Sequence, residues 1–311
     1  MLLFLKNLIP IFSILFSAIS SVLDTVSFKR VSEIASKYHM NRLSLSFFDS
    51  IMIIIVFILP FSFLSFMIES WKDFFSLISH PHLLLMLLGM VIADIIQVTL
   101  WSYAYANEKI SILTPYEEIS PILGIILGFF LFTWTDWRTL VAALVAIIVL
   151  WFSNLEKWKF HFNKNCLYLV VSQIFLTINI LLGASLVEHF SPMSMTIGSV
   201  VVSFILLSIY FAPRRKLLSI PKKTSDIKTY LINDGVSNLS WFINVLIALF
   251  MYQEVGVTLT ILLSMGVMII SFIASYLIYR DIPSRKNIAT SFIVLLCIGI
   301  GTYYSPLLSL D

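Results

Sequence analysis

Charge is what this sequence has least of. Only 12% of its 311 residues are Asp, Glu, Lys or Arg, and 59% are hydrophobic; an ordinary soluble domain carries about a quarter charged residues. A chain of this composition cannot enclose its apolar surface in a water-facing fold, so the surrounding medium must itself be apolar. Cysteine is nearly absent: Cys166 and Cys297 stand in separate apolar runs, read as packed or lipid-facing thiols that report no redox compartment. No Lys/Arg-rich polar run carries interleaved aromatics, which argues against nucleic acid as a partner. GxxxxGKS, metal-spaced His/Cys/Glu clusters and nucleophile motifs are missing as well. The sequence therefore predicts no cofactor, no metal, no catalytic residue and no enzyme, and speaks against an ATP-driven pump.

What is present is a series of long apolar runs. A spanning helix needs about 20 such residues, and ten runs qualify: 8–28, 46–68, 83–106, 110–133, 138–154, 166–187, 193–212, 229–252, 257–279 and 287–306. They lack the alternation of a β-barrel strand, and a backbone in lipid satisfies its hydrogen bonds as a helix. The expected fold is an all-α integral membrane protein of ten transmembrane helices. The first run is expected to be a retained helix, since Lys29, Arg30, Lys37 and Arg42 follow it and only Lys6 precedes it. Pro60 is expected to kink the second.

Connections are short. The segment 29–45 is mixed in charge and compatible with a surface helix, and PRRKLLSIPKKTSDIK (213–228) is the most basic loop. Of the 20 Lys and Arg, 17 fall in the loops after helices 1, 3, 5, 7 and 9, and 3 fall on the other side. The positive-inside rule then places both termini outside the cytoplasm. A shift of 145 residues lays Pro121 on Gly266 and Asp136 on Asp281, and GIILGFFLF (124–132) over IISFIASYL (269–277). This predicts two five-helix repeats, 1–155 and 156–311, entering the membrane in opposite senses as in many secondary transporters.

The stretches 111–150 and 259–301, each with a helix ending in an acidic residue (Asp136, Asp281), and SPMSMT (191–196) resemble the drug/metabolite transporter superfamily in its ten-helix EamA-type branch. The resemblance covers nearly the whole chain in layout, with loose motifs. It implies a multi-pass protein of a bacterial cytoplasmic (inner) membrane, monomer or homodimer, that moves a small solute by alternating access. It also implies cytoplasmic termini, opposite to the charge count.

Ionisable groups inside a membrane helix are candidate functional residues. Asp94, Gln97, Trp101 and Tyr105 follow one another at spacings of 3, 4 and 4 and share one helix face. Asp234, Asn238, Trp241 and Asn244 or Val245 form a similar stripe on the eighth helix, the counterpart of the third under the repeat; Asp234, near one end, belongs to that stripe or only caps the helix or faces the headgroups. Glu117 and Glu118, in TPYEEISP (114–121), belong to a bent helix at the binding site or merely to the interface. Asp24 is expected to reach the cavity or pair with Lys29 or Arg30, and Asp49, Asp136 and Asp281 to cap helices. Gly124 and Gly128 are expected to permit close internal packing.

The predicted interior thus holds carboxylates and essentially no Lys or Arg. It disfavours strongly anionic solutes, which need cationic ligands. It suits cationic, zwitterionic or neutral metabolites such as amino acids and amines. A carboxyl group at mid-depth can also accept a proton, which makes proton coupling part of the expectation. The alternatives are an intramembrane enzyme acting on a lipid-linked substrate, and a channel or assembly factor.

The charge bias yields a direct test. A cysteine placed beside Asp311 is expected to react with an impermeant thiol reagent added outside the cell, and one beside Lys222 is not. The reverse labelling pattern would restore the orientation implied by the family resemblance.

Overall fold

A peptide group in hydrocarbon has no water to bond, so a chain this apolar is committed to helix. The computed structural model describes residues 2–108, 113, 116, 117, 119–131, 137–154, 162–218, 221, 223–255, 257–265 and 285–304. Among them every regular element is helical: α1 (Leu2–Lys37), α2 (Leu43–Ile53, continued through Ile54–Ile58 to Phe61), α3 (Ser65–Ile78), α4 (Pro81–Asn107), α5 (Ile119–Leu131), α6 (Trp137–Asn154), α7 (Lys164–Leu186), α8 (Pro192–Phe211), α9 (Thr224–Val255), α10 (Val257–Ser264) and α11 (Arg285–Tyr303). Five spans among the described residues are long and apolar enough to cross a membrane: Leu43–Phe61, Pro81–Asn107, Lys164–Leu186, Pro192–Leu217 and Thr224–Glu254. Large apolar side chains such as Phe130, Ile209 and Phe292 are left bare on the outside, a surface suited to lipid rather than to water. The described residues are those of an all-α membrane protein.

Local sequence explains where the helices stop. α1 runs nine residues beyond the expected apolar segment and ends in a Schellman turn: Met40 N–H donates to the Ala35 carbonyl at 2.9 Å and His39 N–H to that of Ser36 at 3.1 Å. His39 takes the left-handed conformation there, with φ 49°. α7 is capped by Asn163, whose side chain accepts from the backbone of Asn165 and Cys166 at 2.9 and 3.0 Å. At the start of α8, Ser191 caps and Pro192 opens the first turn.

The second apolar run departs from its expected limits. Helix α2 widens into a π-turn at Ile54–Ile58, directly before Pro60. Pro60 lacks the N–H that would bond the carbonyl four residues back, and its ring crowds that carbonyl, so the ladder loosens there. The helix ends at Phe61, and what reads as a single run to residue 68 followed by a loop is instead a break and a separate helix, α3. The polar residues Glu69, Lys72 and Asp73 obscure it in sequence. They occupy one side of α3, while Met67, Phe74 and Leu77 are buried on the other. Asp73 ties α3 to α8 by accepting from the Ser191 backbone at 2.9 Å and the Ser194 hydroxyl at 2.6 Å. A carboxylate there also complements the positive end of the helix dipole.

Three helix pairs carry the broadest contacts: α4 with α7, α1 with α9, and α6 with α11. Hydrophobic attraction between helices is weak in lipid, so such pairs depend on close fit. A Cβ on Gly124 would come within 2.9 Å of Ile261 in α10, and one on Gly128 within 3.4 Å of Val257, so this GxxxG pair serves internal packing. Gly198 in α8 is filled by the Phe74 ring, which an added Cβ would meet at 2.8 Å.

That contact gives a stability prediction. Gly198→Ala forces the buried Phe74 ring aside and is expected to cost about 1–3 kcal/mol, the usual range for overpacking, read as a lower melting midpoint in detergent. Adding Phe74→Leu is expected to recover part of the loss. An unchanged midpoint for the single variant would contradict the packing described.

Candidate functional site

The paired helices leave a polar space between them. A cavity of about 360 Å³ is lined from α1 by Asp24 and Phe28, from α2 by Ser46, Asp49 and Ser50, from α4 by Asp94, Gln97 and Trp101, and from α9 by Ser237, Asn238 and Trp241. α7 and α8 complete the wall with Asn179 and Ser203. A second chamber of about 310 Å³ adjoins it and shares Asp24, Gln97, Trp101 and Tyr252. Glu117, Ser120 and Gln173 line that second chamber. Among the described residues, no Lys, Arg or His contributes to either lining.

The carboxylates are held in different ways. Asp24 accepts from the Ser237 hydroxyl at 2.5 Å, so α9 locks the α1 carboxylate in place. Asp49 accepts from the Asn238 amide at 3.2 Å and lies beside Asp234. Asp94 has no hydrogen-bond or ion-pair partner among the described residues and lines the same cavity as Asp49. Among those residues, no three His, Cys, Asp or Glu side chains are arranged to hold a metal ion.

Aromatic groups build the boundary between the chambers. Phe28 stacks on Trp101 with ring centroids 4.7 Å apart, and Tyr105 meets Trp101 edge-on at 5.0 Å. The Tyr105 hydroxyl donates to the Glu117 carboxylate. The Trp101 indole nitrogen sits close to both groups without closing a well-formed hydrogen bond. Beneath this layer the Lys29 ammonium donates to the backbone carbonyls of Tyr105 and Glu108 at 3.3 and 2.9 Å. These are carbonyls that the end of α4 leaves open.

The residues singled out from sequence therefore fall into three groups. Asp94, Gln97, Trp101, Asn238 and Trp241 line the first chamber, and Gln97, Trp101 and Glu117 the second. Tyr105 is fully buried behind the wall, where it holds Glu117. Glu118 lies outside the described residues, as do Asp136 and Asp281.

Of two acidic residues, one departs from its expected role and the other falls to one of its two alternatives. Asp49 is no cap, because α2 begins at Leu43 and Asp49 sits in its second turn, facing the cavity. Asp234 is 1% exposed and faces Asp49 rather than the headgroups, because α9 starts at Thr224 and carries it well inside the helix. Asp24 lines both chambers, while the neighbouring Lys29 is engaged by Glu33 and the end of α4. The serines of the site, Ser46, Ser50, Ser203 and Ser237, carry no sequence signal. Serine is common in membrane helices, where its hydroxyl can bond the backbone of the preceding turn, as Ser50 does to Ser46 at 2.8 Å.

No protein-family profile matches this chain, and no curated protein matches it. Solved structures do: 24 chains are similar. One, known only as "Crystal structure of protein", superposes with a TM-score of 0.61 over 97% of this chain and 98% of its own length, at 12% identity. At that identity the likeness extends to the fold and no further.

Proposed function

We propose that this protein is a secondary transporter of the drug/metabolite type, a multi-pass protein that carries a small cationic, zwitterionic or neutral metabolite through its central cavity. Asp94 carries the proposal. It lies near the middle of a 27-residue helix and lines a cavity whose described wall has no cationic side chain. An uncompensated carboxylate at bilayer mid-depth costs about 2.5–3.5 kcal/mol on insertion scales. Leu would serve packing at no such cost. A solute ammonium group, or a proton, supplies the missing partner.

Helix packing supports the two-half arrangement expected from sequence. If ten spans divide into two fives, the α1–α9 pair (first with eighth) and the α4–α7 pair (third with sixth) exchange under the repeat. The α6–α11, α2–α8 and α5–α10 pairs map onto themselves. All five contacts are present. Such an inverted repeat surrounds a mid-membrane site with two bodies that can rock about it. Resemblance to the family adds a bacterial cytoplasmic membrane as the setting.

Asp94→Asn keeps the size and hydrogen-bonding capacity of the side chain and removes its charge. Proteoliposomes carrying the variant are expected to lose uptake and exchange of labelled amines and amino acids, with expression and detergent melting midpoint unchanged. Transport at the wild-type rate would make Asp94 a packing residue and defeat the proposal.

A further inference from the structure

The two chambers are not equivalent, and each holds at least one carboxylate of its own. Asp49 and Asp94 belong to the first chamber, Glu117 to the second, and Asp24 to both. Trp101, Leu176, Ile180, Ala248 and Tyr252 are common to both linings together with Gln97 and Asp24, so the neck is mostly aromatic and aliphatic, and its one carboxylate already accepts from Ser237. Glu117 is anchored through Tyr105, eleven residues beyond Asp94 on α4. That places the Tyr105 anchor about 16 Å beyond Asp94 along the helix axis. In the first chamber Ser46 is 6% exposed and its hydroxyl has no hydrogen-bond partner among the described residues, although the chamber wall includes it.

An amino acid fits this layout poorly. Its ammonium group would meet Asp94, but its carboxylate would find no cation in either wall and would face further acidic groups. A short monoamine would leave one acidic end unpartnered. A mostly aromatic and aliphatic passage with carboxylates beyond both ends matches a molecule with a charge at each end and an apolar chain between. We propose that the two chambers together hold one elongated dication, a linear diamine or polyamine. One terminal ammonium group rests on Asp94 and the other on Glu117, and the methylene chain lies along the aromatic and aliphatic neck. The inference rests on the reading of this cavity as the solute site and narrows it to a chemical class.

Isothermal titration of the full-length protein in detergent tests it. Diaminobutane, diaminohexane and diaminooctane are compared with butylamine, hexylamine and octylamine. A charge-assisted hydrogen bond at the second end is expected to make the best-fitting diamine bind about tenfold tighter, or more, than the monoamine of equal length. Affinity should peak within the diamine series, a readout that needs no variant. Glu117→Gln still accepts from Tyr105, so the fold is kept. It is expected to abolish the diamine advantage, so that diamine and monoamine of equal length bind alike, whereas Asp94→Asn weakens both. Equal affinity of diamines and monoamines, or a Glu117→Gln variant that retains the advantage, would overturn the inference and leave the transporter reading standing. If no amine of either kind binds, the proposed solute class falls with it.

Discussion

The structure turns on the burial of carboxylates where no cation is at hand. Water solvates a charge generously, and hydrocarbon does not. Asp24, Asp49, Asp94 and Asp234 come from four different helices, and each solves that problem differently. Asp24 takes the Ser237 hydroxyl, Asp49 takes the Asn238 amide and leans on Asp234, and Asp94 is left to the cavity. The helix contacts follow from these demands. α1 must cross α9 closely enough for a 2.5 Å bond between Ser237 and Asp24, and the α1–α9 interface is among the broadest in the molecule.

Around that polar centre the walls are built from contacts that depend on shape. Phe28 covers one face of Trp101 and Tyr105 closes its edge, which fixes the indole at the boundary between the chambers. Gly183 brings α7 against α4 and α9, since a Cβ there would meet Leu249 at 3.3 Å and Met90 at 3.5 Å. Lys29 holds the end of α4 by its open carbonyls and so keeps the Tyr105–Glu117 pair in register with the second chamber. Among the described residues the protein's cations thus stay outside the linings, where they do not neutralise the site.

Much of the architecture was legible in the sequence because a bilayer leaves the backbone a single solution. Apolar run length alone locates α4, α7 and α8 to within a few residues. The face shared by Asp94, Gln97 and Trp101 follows from helical spacing, and all three residues line the cavity. What escaped were features set by tertiary contact. α3 hides its helical pattern behind Glu69, Lys72 and Asp73. Asp49 and Asp234 lie near the ends of apolar runs, where a cap and a buried acid look alike in sequence. Only the helix extensions at Leu43 and Thr224 separate the two readings. Ser237 and Ser46 matter through what they face, which no local pattern encodes.

The central claim is that an acid-lined cavity without cations is the solute site, and the sign of the charge it accepts tests this most directly. Melting midpoints of the purified protein, measured against a panel of amines, amino acids and phosphorylated sugars, read that sign, because a ligand bound at a hundred times its Kd stabilises by about 2.7 kcal/mol. The account predicts that ammonium-bearing solutes raise the midpoint, that Asp94→Asn removes the shift, and that sugar phosphates leave it unmoved. Stabilisation by the phosphorylated anions, with none from the amines, would contradict it.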